Sequence, residues 1–360
     1  MKKVLWFFLL LIIGSGLLVS IDFFRRSPVT TDDVIREDEM EQAEIAKRRF
    51  VEIVEKNKTD YVGRGAHAKG HACVKAYLDV EEGLSSNLQH GIFSEPGKRY
   101  KTWIRFSNAN SNFANHHDIE KDAHGMAIKV LNAGQGITEE VTVQDFLMAD
   151  NPNFFSSDIA SYNEFLDSDS AIKFFFSGFN PFKWRIREFS VALKTLKEPE
   201  DSPLSMTFFS NTAYKLGSQN IKFKAKPCGT NITTKDLDKS NPEFLRLEMQ
   251  SILSNESACF LFEVQLQNLE KNMPLEDPSF EWKESDSPSI SIAMITILKQ
   301  DFGSDEHMEF CENLSFSPWN SLSAHQPLGQ FNRIRRHVYK ASSDYRHDKN
   351  MTTIPADLDW

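Results

Sequence analysis

An α+β fold, an antiparallel barrel or sheet with inserted helices, is what this 360-residue sequence predicts. Three observations carry that expectation. Six short runs are rich in β-branched and aromatic residues, their spacing is irregular, and helical stretches separate some of them. A doubly wound parallel fold would instead alternate strand and helix at a regular period.

In chain order, the first element is not a strand. Residues 1 to 26, "MKKVLWFFLLLIIGSGLLVSIDFFRR", hold 18 residues without formal charge between Lys3 and Asp22. That length crosses a bilayer and exceeds the usual apolar core of a secretory signal. We expect residues 1–24 to be one N-terminal transmembrane helix, a membrane anchor or uncleaved signal, with the body exported to the bacterial periplasm or cell exterior. Lys2 and Lys3 favour a cytoplasmic N-terminus. Residues 25–50 are dense in charge and read as a tether passing into a helix, with Thr31 or Asp32 as its N-cap. The remainder, residues 51–350, reads as one domain, since no Gly/Ser-rich or Pro-rich boundary interrupts it. Its strand-like runs are 71–80, 101–108, 124–132, 221–228, 259–267 and 289–298, and "SNPEFLRLEMQSILS" (240–254) reads as a helix.

With 40% hydrophobic residues the chain can bury a large core. A net charge of -10 argues against a nucleic-acid partner. Four cysteines, Cys73, Cys228, Cys259 and Cys311, form no C-x-x-C pair, which disfavours structural zinc. Disulfides and buried thiols are both open to them. "NHHDIEKDAH" (115–124) superficially resembles a metal cluster, but adjacent histidines on an extended loop point different ways, and a solvated loop is expected. The aromatic stretch "AIKFFFSGFNPFKW" (171–184) reads first as core helix, with a hydrophobic entrance or a membrane contact as alternatives.

Two constellations carry chemistry. From about Gln330, Phe331, Ile334, Val338, Ala341 and Tyr345 form an apolar helical stripe, while Arg335, Tyr339 and Arg346 form a second one offset by roughly 100°. A guanidinium one turn from a phenol favours phenolate, a hard anionic ligand used as the axial donor of ferric haem. The bland alternative is a solvated helix edge. The second constellation is "GRGAHAKGHACVKAYLDV" (63–80), where His67 sits among small residues that let a flat ligand approach. A neutral imidazole there could relay a proton between peroxide oxygens. Strict alternation from His67 through Lys75 nevertheless assigns His67, Lys69 and His71 to a polar surface face, and a bulge or strand start near Gly70 is required to turn His67 inward.

"RGAHAKG", "WIRFSNA", "DAHGMAIKV", "DFLMADNPNFF" and the R-x-x-x-Y of Arg335 to Tyr339 occur in the order found in haem catalases, which the chain resembles over about residues 50–348. The closing "HQPLGQFNRIRRHVYKASSDYR" is similar to the short bacterial catalase-related peroxidases, relatives of the catalase-like allene oxide synthases. The resemblance implies an eight-stranded antiparallel barrel with flanking helices, residues 51–350 being a minimal haem domain. It also implies haem b as cofactor, with Tyr339 as the iron ligand and Arg335 keeping it ionised. His67 would be the distal histidine and Ser107 its hydrogen-bond partner; Arg64, Arg105 and Arg346 would lie near the propionates, and Phe155 against the macrocycle.

Two positions depart from the catalase pattern. Asp150 stands where catalases carry asparagine, and an ionised carboxylate only accepts hydrogen bonds and repels anions, which weighs against efficient disproportionation. A protonated Asp150 would still donate, so it stays with His67 and Ser107 among the catalytic candidates. Ala66 precedes His67 where catalases have a larger aliphatic residue and the allene oxide synthases a threonine, leaving room above the iron. The implied activity is haem-dependent cleavage of hydrogen peroxide or organic hydroperoxides with an unidentified reductant. Rearrangement of a lipid hydroperoxide and a non-catalytic haem-binding module are the alternatives. A homodimer is among the assemblies the sequence allows.

Overall fold

The computed structural model describes residues 31–112, 114–138, 142–180, 183–229 and 237–360. The expected transmembrane helix lies outside these; among the described residues no helix is long and apolar enough to cross a membrane.

Alternation along the strands builds the centre of the molecule. In β1 (Gly70–Val80), Ala72, Val74, Ala76, Leu78 and Val80 all face one buried cluster, because side chains two apart share a sheet face. The strands β2 (Arg99–Asn108), β3 (His124–Val130) and β4 (Gln144–Ala149) continue antiparallel on one side of β1. On its other side come β9 (Ser289–Ile297), β8 (Ala258–Leu266) and β7 (Gln219–Pro227). The two-residue β5 (Phe208–Phe209) pairs with both β4 and β7, so the eight strands close into a ring, with the short β6 (Tyr214–Leu216) added beside β7. This is the expected antiparallel eight-stranded barrel. Its interior is filled by rings, among them Phe93, Phe106, Phe146, Phe208, Phe223, Phe260 and Phe262, the Phe146 and Phe262 centroids standing 4.9 Å apart. An eight-stranded barrel encloses little more than its own side chains, and each buried ring stabilises the fold by about 1.5–3 kcal/mol.

Helices flank the barrel. The first, α1 (Glu39–Lys56), starts eight and seven residues after Thr31 and Asp32, with Asp38 at the N-cap position instead. It packs on the last helix, α7 (Gln330–Asn350), through the expected apolar stripe: Phe331, Ile334 and Val338 cluster with Ala43 and Ala46, and Tyr345 donates to Glu55. Arg333 bonds Asp33, Glu39 and Glu276, tying the start of the described chain to α7. The helix α7 begins after Gly329, at φ 83°, where a Cβ would stand 2.6 Å from the Leu275 carbonyl oxygen. The helix expected in 171–184 is the short α3 (Ala171–Phe175), which follows α2 (Ile159–Asp167) and precedes α4 (Ile186–Thr195). The expected 240–254 helix is α5 (Phe244–Leu253), and α6 (Asp305–Asn313) precedes α7; α2, α4 and α6 were not anticipated. Cys228 and Cys259, at neighbouring ends of β7 and β8, form a disulfide with Cα atoms 5.6 Å apart, whereas Cys73 and Cys311 are buried free thiols.

Candidate active site

The site lies between the outer face of the barrel wall β1–β2–β3 and the helical layer carrying α7. On the wall, inward positions fill the barrel and outward ones, Cys73, Trp103, Arg105, Ser107 and Gly125, face the helices. His67 reaches this outer face by leaving the alternation. Its φ is 54°, β1 begins only at Gly70, and the pairing with β2 shifts register between Gly70 and Ala72. The irregularity that the sequence required near Gly70 is therefore present. The polar surface face expected for Lys69 and His71 is not: both are buried.

His67 is over-determined. Its amide donates to the Ala109 carbonyl at 3.0 Å, its own carbonyl accepts from Arg105 Nη1 at 2.9 Å, and its Nδ1 lies 3.2 Å from Ser107 Oγ. Gly125 backs the ring closely enough that a Cβ there would stand 2.4 Å from Nδ1. Burial, then the Arg105 and Arg335 guanidiniums, push the imidazole down to about 4, with Asp150 opposing them. His67 is neutral at pH 7, the form a base requires.

On α7, Arg335 donates to Asn332 Oδ1 at 3.3 Å, and Tyr339 is half-buried one turn further on. Two further phenols border them. Tyr162 is pushed up to about 12 by burial and then by Tyr339, and Tyr214 is raised by burial against the pull of Arg335. Phe155 packs in a ring cluster with Phe165 at 4.7 Å and Tyr162 at 6.0 Å, so it borders the same place through Tyr162.

Arg64, Arg105 and Arg346 come from a loop, the wall and α7, and converge on one acid, Glu312, at the end of α6. Arg105 Nη2 stands 3.3 Å and Arg64 Nε 3.7 Å from its carboxylate, while Arg346 donates to its backbone carbonyl. Burial alone would raise Glu312, but the three guanidiniums together hold it below the usual carboxylate range. Burial, then Arg105 and Arg346, pull Arg64 down to about 9, so it remains a cation at neutral pH. Arg64 Nε, Arg105 Nε and Arg346 Nη2 are buried without hydrogen-bond partners. Three cations against one anion leave two positive charges, which matches the two carboxylates of a protoporphyrin. A buried cationic cradle with free donors, a phenol beside a guanidinium and a neutral histidine fit haem as a donor set.

Asp150 is buried, but its carboxylate is engaged elsewhere. Oδ1 accepts from the His124 amide and Oδ2 from His124 Nδ1, both at 2.9 Å, and Lys197 Nζ lies 3.4 Å away. The loop expected to be solvated is part of the same interior: His116, Asp118, Asp122 and His124 are buried and only His117 of the histidines there is exposed. Lys69 pairs with Asp118 at 2.6 Å, and His71 bonds Asn108 at 2.7 Å. The buried acids and histidines of residues 115–124 are thus paired, because a charge taken from water needs a partner. Glu312, Gly125, His124 and Tyr162 belong to the site and were not singled out from sequence. Gly125 and His124 sat in a quoted motif, whereas nothing local marks Glu312.

A closed antiparallel barrel flanked by a tyrosine-bearing helix that packs on α1 is the class of fold defined here. The catalase family model matches residues 42–171. Similar solved structures include a bacterial catalase (TM-score 0.64, 15% identity, covering 93% of this chain and 67% of that one). A fungal catalase (0.64, 16%, 92% and 68%) and catalase A from Saccharomyces cerevisiae (0.64, 16%, 89% and 68%) are equally similar. No curated protein matches the chain. The family match over residues 42–171 and the architecture agree: the chain has the fold of the catalases and is similar to them in that segment.

Proposed function

We propose that this is a haem b-dependent oxidoreductase that cleaves hydrogen peroxide or organic hydroperoxides with an external reductant, of the short bacterial catalase-related branch. In this reading residues 51–350 are the haem domain and the N-terminal apolar run anchors it to the inner membrane, facing the periplasm. The observation that carries it is the cradle of three guanidiniums around Glu312, with two charges left over, beside a histidine held neutral.

Haem bound there would supply a redox-active iron and the electrons for breaking the O–O bond. Tyr339 would hold it from the α7 side with Arg335 favouring the phenolate, and Arg64, Arg105 and Arg346 would take the propionates. The remaining chemistry belongs to His67. With its Nδ1 proton directed at Ser107 Oγ, Nε2 keeps a lone pair that accepts the hydroperoxide proton and returns it to the departing oxygen. Asp150, held by His124 and Lys197, acts on that step only through its charge.

The test is the absorption spectrum of the haem-reconstituted chain and of two variants. Tyr339→Phe is expected to lose or weaken haem retention. His67→Ala should keep haem and slow peroxide cleavage by about 10²–10⁴-fold. Full haem occupancy with an unchanged spectrum in Tyr339→Phe would remove the ligand assignment. A second reading, rearrangement of a lipid hydroperoxide without reductant, is favoured by the exposed Ala66 beside His67 and by the apolar rings around Phe155. Product analysis with a fatty-acid hydroperoxide and no electron donor separates the two.

A further inference from the structure

The hairpin of α3 and α4 carries an apolar ridge that the barrel does not cover. Ile172 and Phe176 lie one turn apart at α3, and Phe189, Leu193 and Leu196 follow at helical spacing along and just past α4. The Phe176 and Phe189 rings, 4.9 Å apart, join the two rows. Ile172 is 69% exposed, Leu193 58% and Leu196 51%, and Phe179 in the turn is fully exposed. Lys183 and Lys194 are exposed around the ridge, and Lys173 is exposed there too, 3.4 Å from Asp169. Large aliphatic and aromatic side chains rimmed by lysines are costly in water and suit the boundary of an anionic bilayer.

The course of the chain says why a bilayer is the occupant. The described chain starts at Thr31, whose carbonyl accepts from Gln267 at 2.9 Å, and the Val34 amide donates to Glu276 at 2.9 Å. The next residue of that loop, Asp277, pairs with Arg187 of α4 at 3.5 Å, and the Arg187 guanidinium lies 4.0 Å from the Phe280 ring. One loop, residues 276–280, therefore docks both the incoming chain and the ridge-bearing helix. From Asp22, where the apolar run ends, to Thr31 the chain spans at most about 30 Å fully extended. A bilayer holding residues 4–21 is thus within reach of this side of the molecule.

We propose that the α3–α4 hairpin is a membrane-contacting surface, with Ile172, Phe179, Leu193 and Leu196 entering the outer part of a phospholipid bilayer and the lysines on its headgroups. The proposal rests on the reading that the N-terminal run inserts. It also bears on substrate. Ring contacts run from Phe189 to Phe175 (5.4 Å), on to Phe155 (6.2 Å) and to Tyr162 (6.0 Å) beside Tyr339, so the ridge is the outer end of an apolar path toward the site.

The test uses the full chain in vesicles of phosphatidylcholine with and without phosphatidylglycerol, nitroxide-labelled in turn at Phe179→Cys, Leu193→Cys and, as a reference, Lys340→Cys on the exposed face of α7. Collisions with lipid-soluble oxygen and with a water-soluble nickel chelate are compared. The expected result is oxygen access with loss of nickel access at positions 179 and 193, stronger with the anionic lipid, and the reverse at 340. Nickel access at 179 and 193 equal to that at 340 overturns the proposal. So does shielding from both agents with spin–spin broadening, which would mean a second copy covers the ridge. Alkaline carbonate extraction reports separately on the anchor: release of the chain refutes the inserted N-terminal run, while the labels still decide the ridge.

Discussion

The two halves of the site are positioned by different kinds of structure. On α7 one rotation sets everything: Arg335, Tyr339 and Arg346 share a face because they lie four and seven residues apart, and the α1 contact through Phe331, Ile334 and Val338 fixes which way that face points. On the barrel wall each group needs its own device. His67 depends on a left-handed φ, a register shift and a glycine behind its ring, and Arg105 and Ser107 depend on outward parity in β2. A helix tolerates local error because its stripe averages over turns, while a wall site fails at a single residue.

The largest effect should come from breaking the wall at its narrowest point. Gly125→Val places methyl groups where His67 Nδ1 and Ser107 Oγ stand, 2.4 and 3.1 Å from the first added carbon. Peroxide turnover is expected to fall by about 10²-fold or more, since a misplacement of about 1 Å costs that much. Haem uptake and the far-ultraviolet circular dichroism of the barrel should survive, because Tyr339 and the arginines are untouched. Turnover within threefold of the parent, measured by initial rates of oxygen evolution or donor oxidation, would show that His67 is not held as argued.

Breaking the helix should do something different and smaller. Arg335→Leu removes the charge beside Tyr339 and one of the two guanidiniums acting on His67, with the α1–α7 contact intact. Haem affinity should drop by about tenfold, a loss of the order of 1.4 kcal/mol, with little change in thermal midpoint. Titration with hemin and a thermal melt on the same sample check both halves of that expectation. A large fall in melting temperature without a change in affinity would make Arg335 a packing residue.

What could be read from the sequence follows the same division. The α7 stripe and the strands that line the barrel were legible because periods of 3.6 and 2 are printed in residue order. The strand β4 was hidden inside a motif, and β5 and β6 are two and three residues long, too short for any period to register. The helices α2 and α4 were missed because their phenylalanines pack against neighbouring rings and not along one stripe. His67 showed the limit most clearly: its alternation pointed to a surface strand, and only the position of Gly70 hinted otherwise. The solvated loop expected at 115–124 holds only for Asn115, His117 and Ile119 to Lys121; Asp118 and His124 are buried because their partners, Lys69 and Asp150, lie far away in sequence. Glu312 needed three separate elements to meet before it meant anything.

The smallest effect is a shift in pH dependence, and its sign discriminates between the sides of the site. Burial first, then Arg105 and Arg335, hold His67 at about 4, below the ordinary 6.5, and Asp150 pulls the other way. A lowered value keeps the base neutral as acid is added, so peroxide cleavage should stay level down to about pH 5 and decline only through about 4. The same residue binds its proton less readily folded than unfolded, so its contribution to stability is lost as pH falls from 6.5 toward about 4. Asp150→Asn deletes the one opposing charge, and the activity midpoint should therefore move further down, by less than about one unit. The amide should not raise peroxide disproportionation, because the carboxylate it replaces is spent on the His124 amide, the His124 ring and Lys197. Rapid mixing of the haem-loaded parent and variant with peroxide across that pH range reads the shift directly. A parent midpoint near 6.5 would show that His67 is not held down as argued, and an upward move in the variant would place Asp150 among the groups that handle the proton.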